Sequence, residues 1–168
     1  GIQGVSVDTK LAQTSGLSMP QGVVISQMHA ESPFGVSGLN AGDIVLLVDG
    51  EPVNTPAEML FRMSIKALGD EIDVVYLRDG ATDTVQVELI SPPETLSRNT
   101  LIVEDGTLTG LRVSNVNPAV LAELHLPIGT EGVVMTGVPR HLKRLGFQVG
   151  DLIREINGNP IKSSDDVI

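Results

Sequence analysis

The segment GLNAGDIVLLVDGEPV at residues 38–53 returns as GFQVGDLIREINGNPI at 146–161. Gly38 and Gly146, Gly42 and Gly150, Asp43 and Asp151, Gly50 and Gly158, and Pro52 and Pro160 all keep one spacing. GVVISQM at 22–28 likewise returns as GVVMTGV at 132–138, and Gly4 of GIQGV matches Gly110 of LTGLR. This constrains the fold more than composition does, because a chain that repeats itself must fold as copies of one small unit. SPPETLSRN, at 91–99, has the Pro and polar residues of a connection. The expected organisation is one unit at 1–91, a linker at 92–100 and a second unit at 101–168.

Each copy alternates short strands with turns. Asp49-Gly50 closes the apolar run at 44–48, and Asp79-Gly80 sits inside 71–90 as a two-residue hairpin turn. Asn117 followed by Pro118 reads as a helix cap and first position. Thr55 and Pro56 read the same way before a longer helix over 56–68, which is apolar almost all round. A brief helical turn is expected after Asp8, with Gly16 as its stop. The fold class is therefore mainly β with short helices (α+β), as two partly open barrels or sandwiches of about five strands, each capped by a helix. Only Ser164 to Ile168 stand where the second unit's longer helix would begin, so that unit is expected to be incomplete, without a competent groove of its own.

Composition excludes several functions. The net charge of -10 argues against a nucleic-acid surface and against docking on an anionic membrane. No apolar run is long enough to span a bilayer. With no Cys, thiolate metal sites, disulfides and a Cys nucleophile are excluded. His29, His125 and His141 have neither a metal-ligand spacing nor the surroundings of a catalytic triad, and no cofactor fingerprint is present. No catalytic residue, metal site or cofactor is expected. Asp43 and Asp151 follow glycines at strand starts and read as turn caps. PRHLKR at 139–144, the one basic run, reads as a solvated loop.

The series Gly-x-x-Gly-apolar, then GVV, then GLNAGDIVLLVDGEPV resembles bacterial PDZ domains, and most closely the tandem PDZ region of HtrA (Do-like, Deg) serine proteases. The likeness covers nearly the whole chain. It implies a non-catalytic module that binds C-terminal or unfolded apolar peptide segments by strand addition. The resemblance also implies a protease domain upstream, a homo-oligomer, a role in protein quality control and a periplasmic location. Ile2, Gln3 and Gly4 would then be a glycine-bracketed loop whose N–H groups cradle the peptide carboxylate, and Val5, Ser6 and Val7 would pair with the ligand strand. Leu60 and Met63 would face the groove, with Met59 mainly in the core; methionine suits a tolerant pocket. In the second unit Thr109, Gly110, Leu111 and Val113 take the equivalent places. Two other readings remain open: a module for oligomer contacts and gating in the same protease, or the tandem PDZ pair of an intramembrane metalloprotease.

Overall fold

A computed structural model describes residues 1–168, which divide into two units, Gly1–Ser91 and Pro92–Ile168. Both are built from open sheets. The first contains β1 (Ile2–Ser6), α1 (Thr9–Thr14), β2 (Val23–Met28), α2 (Pro33–Val36), β3 (Ile44–Val48), β4 (Glu51–Pro52), α3 (Pro56–Ser64), β5 (Glu71–Arg78) and β6 (Ala81–Glu88). Its sheet runs β1-β2-β3-β5-β6, with β4 paired to β3, and all neighbours are antiparallel. β1 is thus an edge strand, bonded to β2 on one side only.

Local chemistry accounts for where these elements start and turn. Asp79 (φ 50°) and Gly80 (φ 79°) both take positive φ, the geometry that a two-residue hairpin needs, and β5 and β6 pair in register from Arg78↔Ala81 outward. The Leu11 N–H donates to Asp8 Oδ1 at 2.7 Å and so caps α1. The Glu58 N–H donates to Thr55 Oγ1 at 3.1 Å, and Pro56 fills the first position of α3. This helix ends at Ser64, short of the expected 68. There the chain turns away: the Ala67 N–H donates to Asp70 Oδ2, and Lys66 pairs with Asp49 at 2.7 Å.

The core follows the alternation of the strands. Val23, Ile25, Val45, Val48, Ile72, Val74 and Val87 are essentially inaccessible and close around Phe34, Leu39 and Met59. Each such aliphatic side chain contributes about 1.5–3 kcal/mol on burial. A smaller cluster, Val7, Ala12, Ile44 and Leu77, lies under α1.

The second unit contains β7 (Leu101–Ile102), β8 (Arg112–Asn115), α4 (Pro118–Leu124), β9 (Val133–Gly137), α5 (Arg140–Lys143), β10 (Leu152–Ile153), β11 (Glu155–Ile156), β12 (Asn159–Pro160) and a 3-10 turn, Ser164–Val167. One sheet runs β10-β9-β8-β7, and β11 pairs with β12. The Val120 N–H donates to Asn117 Oδ1 at 2.8 Å, capping α4. The basic run at 139–144 holds the one-turn helix α5, which Leu142 anchors in the core at 1% exposure.

Residues 92–100, read as a linker, lie against this unit. The Asn115 N–H donates to the Arg98 carbonyl, the Ala119 N–H to the Pro93 carbonyl and Asn117 Nδ2 to the Leu96 carbonyl. Arg98 also reaches both Glu94 and Glu123. Nothing in the sequence signals these bonds, because their partners are distant in the chain. No helix is long and apolar enough to cross a membrane.

Candidate functional site

A cleft of about 470 Å³ opens between β1 and α3. β1 contributes Ile2, Gln3, Gly4 and Val5, and α3 contributes Pro56, Met59, Leu60 and Met63, with Val23, Ile25 and Ser26 of β2 completing the lining. Met59 is 2% exposed and belongs to the core, Met63 is half-buried against that core, and Leu60 projects outward at 63% exposure. The helix presents no charged or hydroxyl side chain to this cleft. Beside it, the outer edge of β1 carries main-chain groups that no strand pairs. An extended chain laid there would gain ladder hydrogen bonds on one side and apolar contacts on the other.

The structure changes the expected geometry of the opening segment. Ile2, Gln3 and Gly4 are strand, not a loop, because β2 offers a partner at each place: Ile2↔Met28, Gln3↔Gln27 and Gly4↔Ile25. An irregularity between Gln3 and Gly4 absorbs one residue of β2 there. Ser26 Oγ donates to the Gln3 carbonyl at 3.1 Å. Gly4 is needed for space and has no positive φ: a Cβ there would stand 2.5 Å from Val23 Cγ1 and 3.8 Å from Pro56 Cγ.

Val5 is 54% exposed beside the cleft, whereas Ser6 is exposed outside the lining. Val7 leaves the site altogether. Its side chain is buried under α1, and its N–H donates to the Gly22 carbonyl at 3.2 Å. Sequence reasoning missed Val23, Ile25, Ser26 and Pro56. The alternation of β2 was a usable signal for Val23 and Ile25 on one face; Pro56 was read only as a helix start.

The register shifts the expected second-unit equivalents, with Val113 opposite Met135 at the place that Gly4 holds opposite Ile25, and none of them lines this cleft. Leu111 and Val113 are fully buried in the core, Gly110 donates its N–H to the Val103 carbonyl at 2.7 Å, and Thr109 Oγ1 donates to the Gly106 carbonyl.

A larger cavity, about 650 Å³, lies elsewhere in the first unit between residues 14–16, 40–44 and 77–80. Its cation is already committed. Arg78 Nε and Nη2 donate to Asp43 Oδ1 and Oδ2 at 2.7 and 2.6 Å, Nη2 also donates to the Gly38 carbonyl, and the guanidinium lies 5.0 Å from the Tyr76 ring centroid. The Asp43 hydrogen bonds hold the Arg78 pKa above its already high ordinary value. This is a structural clamp between β3 and β5.

A model of the PDZ domain family matches residues 1–89. Among curated proteins, a probable periplasmic serine endoprotease, DegP-like, from Rhizobium meliloti (strain 1021) is 28% identical over 100% of this chain and 34% of its own length. The periplasmic serine endoprotease DegP of Salmonella typhimurium (strain LT2) is 24% identical over 97% of this chain and 32% of its own length. The chain therefore spans about a third of these relatives. Among solved structures, the HtrA-type protease AlgWS227A with decapeptide superposes with a TM-score of 0.52 at 23% identity, over 58% of this chain and 30% of that one, a likeness in fold. With an edge strand and helix-walled cleft inside the matched residues, and DegP-like relatives aligned along both units, the chain belongs to the PDZ domain family.

Proposed function

We propose that the β1–α3 cleft binds an extended, apolar peptide end by strand addition, and that the chain is a non-catalytic recognition and regulatory region of an HtrA-type serine endoprotease. The observation that carries this reading is the unpaired outer edge of β1 beside the apolar wall of α3. The peptide pairs along Ile2 to Val5, with its carboxylate toward the Ile2 end and its alternate side chains over Met59 and Met63. Main-chain bonds supply the attachment and the methionine-lined wall a tolerant preference for apolar residues. The catalytic domain lies in the remainder of the parent protein, which works as an oligomer on unfolded proteins in the periplasm. The naming of the relatives as periplasmic serine endoproteases supports this location and parentage.

Assembly is a second reading, and one observation favours it. Phe61, Ile65 and Leu68 are 59%, 60% and 68% exposed, an apolar stripe continuing from α3 outside the cleft.

The test is titration of this chain with a decapeptide ending in Leu-Ala-Val, once with a free C-terminus and once amidated. A dissociation constant in the micromolar range is expected for the free form, with a loss of about tenfold or more on amidation. Leu60→Asp, at an exposed position that leaves the core untouched, should weaken binding by a similar factor. Equal binding of the two peptides, or no effect of Leu60→Asp, would overturn the carboxylate-led reading. No binding of either peptide would favour assembly.

A further inference from the structure

Two walls make the first unit's cleft, and both are fixed to one residue. The N–H of Val7, next after β1, donates to the Gly22 carbonyl at 3.2 Å. The Gly22 N–H donates to Oδ1 of Asn54, two residues before α3 begins, at 3.1 Å. Gly22 is wedged against β3: a Cβ there would stand 2.6 Å from Ile44 Cγ2 and 2.8 Å from the Val45 carbonyl oxygen. The Asn54 main chain is held in turn. Its N–H donates to Glu58 Oε2 at 2.7 Å, and the preceding Val53 is fully buried with its N–H on the Leu46 carbonyl.

Little else sets the angle of α3. Of its nine residues only Met59 is buried. Toward its other end, Arg62 pairs with Glu51 at 3.3 Å and Lys66 with Asp49 at 2.7 Å, but these side chains are partly exposed and such pairs hold weakly. We propose that Asn54 is a positioning residue for peptide binding: its carboxamide oxygen ties the start of α3 to the residue that also holds the end of β1, and so sets the separation of the two cleft walls. This rests on reading the β1–α3 cleft as a peptide site. Asn54 is not in the lining and acts through Pro56, Met59 and Met63, which are. A wall held in place beforehand leaves less to be ordered when the peptide arrives. Without the tie α3 tilts about Met59 and the cleft widens. A small terminal side chain then loses its contacts first, because a gap of even 1 Å forfeits much of the attraction. The role needs an acceptor and nothing more, since Asn54 Nδ2 bonds no protein group.

The experiment titrates the whole chain and its variants with two free-carboxylate decapeptides, identical but for their ends, Leu-Ala-Val and Leu-Ala-Phe. Amide exchange in the free proteins runs beside it. Asn54→Ala should weaken the Val-ended peptide about tenfold and the Phe-ended one about threefold or less, so that the preference between them shifts. A variant that is merely less folded would lose both in the same proportion. Asn54→Asp keeps the acceptor, at a helix start where negative charge is favoured, and should bind both peptides within about twofold of the parent chain. The Gly22 amide should exchange about tenfold faster in Asn54→Ala and stay protected in Asn54→Asp.

Retained protection of the Val45 and Val74 amides would show that the first unit of each variant is folded. If Asn54→Ala unfolds it, Asn54→Ser, whose hydroxyl is one bond shorter, takes its place. Equal losses for the two peptides, no loss for either, or a loss in Asn54→Asp as large as in Asn54→Ala would each overturn the proposal. So would a Gly22 amide that exchanges freely in the parent chain, whether or not any peptide binds. If the parent chain bound neither peptide while its Gly22 amide stayed protected, the peptide reading of the cleft would fall instead, and the positioning role with it.

Discussion

In the first unit Asp43 is 2% exposed, accepts from the Asn40 N–H at 2.7 Å and holds Arg78 through both carboxylate oxygens. In the second, Asp151 stands at the same place in the repeat and accepts from the Gln148 N–H at 2.8 Å, but it is exposed and has no arginine on it. The turn bond is local and both copies keep it. The ion pair needs Arg78 of β5, a strand distant in the chain.

Replacing the two aspartates gives the sharpest contrast. Asp43→Ala strands the Asn40 N–H and removes the fixed partner of a clamped guanidinium, so its loss of stability should exceed that of one exposed turn bond. Asp151→Ala removes one exposed turn bond, about 0.5–1 kcal/mol. Denaturant unfolding followed by amide exchange in each unit would separate the two. Equal losses would mean that the Arg78 clamp adds nothing.

Gly4 and Gly110, matched in the sequence, are not equivalent in the fold: Gly4 lies opposite Ile25, whereas Val113 holds the matching place opposite Met135, and the two glycines are required for different reasons. A methyl at Gly4 meets Val23, which is buried and cannot yield, so Gly4→Ala should cost about 1–3 kcal/mol by overpacking and push β1 off β2. Gly110 has φ 82° and its nearest neighbour, Pro139, at 3.6 Å, so Gly110→Ala meets backbone strain of about 1 kcal/mol and no clash. Gly4→Ala combined with Val23→Ala should recover part of its own loss, whereas no side-chain deletion should rescue Gly110→Ala. Rescue of both, or of neither, would erase the distinction.

The same division explains what could be read from sequence. Caps and turns answer to neighbours three or four residues away, so Asp8, Thr55, Asn117 and Asp79-Gly80 were legible. So was the apolar wall of α3, from its composition. Strand pairing joins distant segments, and there the reading failed: Ile2–Gly4 became strand because β2 pairs them, Val7 turned under α1, and β7 covered β8. The repeat announced two copies of one unit, but the pairing at their strand edges lies in contacts that no local pattern records.

The smallest expected effect concerns how the segment before β7 is held. Arg98 Nη1 and Nη2 donate to Glu123, and its Nε donates to Glu94. The hydrogen bonds from Arg98 keep both carboxyls below the ordinary glutamate value, with the Asn117 side chain adding to the effect on Glu94. A carboxyl whose folded pKa is depressed stabilises the fold fully above its unfolded pKa, and that contribution is lost as pH falls through the folded value. The cluster should therefore hold residues 93–98 against α4 at neutral pH and release them in acid, below the ordinary glutamate range. The readout is the protection of the Ala119 and Asn115 amides, which donate to the Pro93 and Arg98 carbonyls. Their protection should fall between neutral pH and about pH 3, while the amides of β9 hold. Glu123→Gln should bring part of that loss to neutral pH and flatten the dependence. These charges are solvent-exposed, so added salt should weaken the effect as acid does. If acid loosened β9 equally, the segment would be integral to the second unit's core, and the charge cluster would be incidental to its seating.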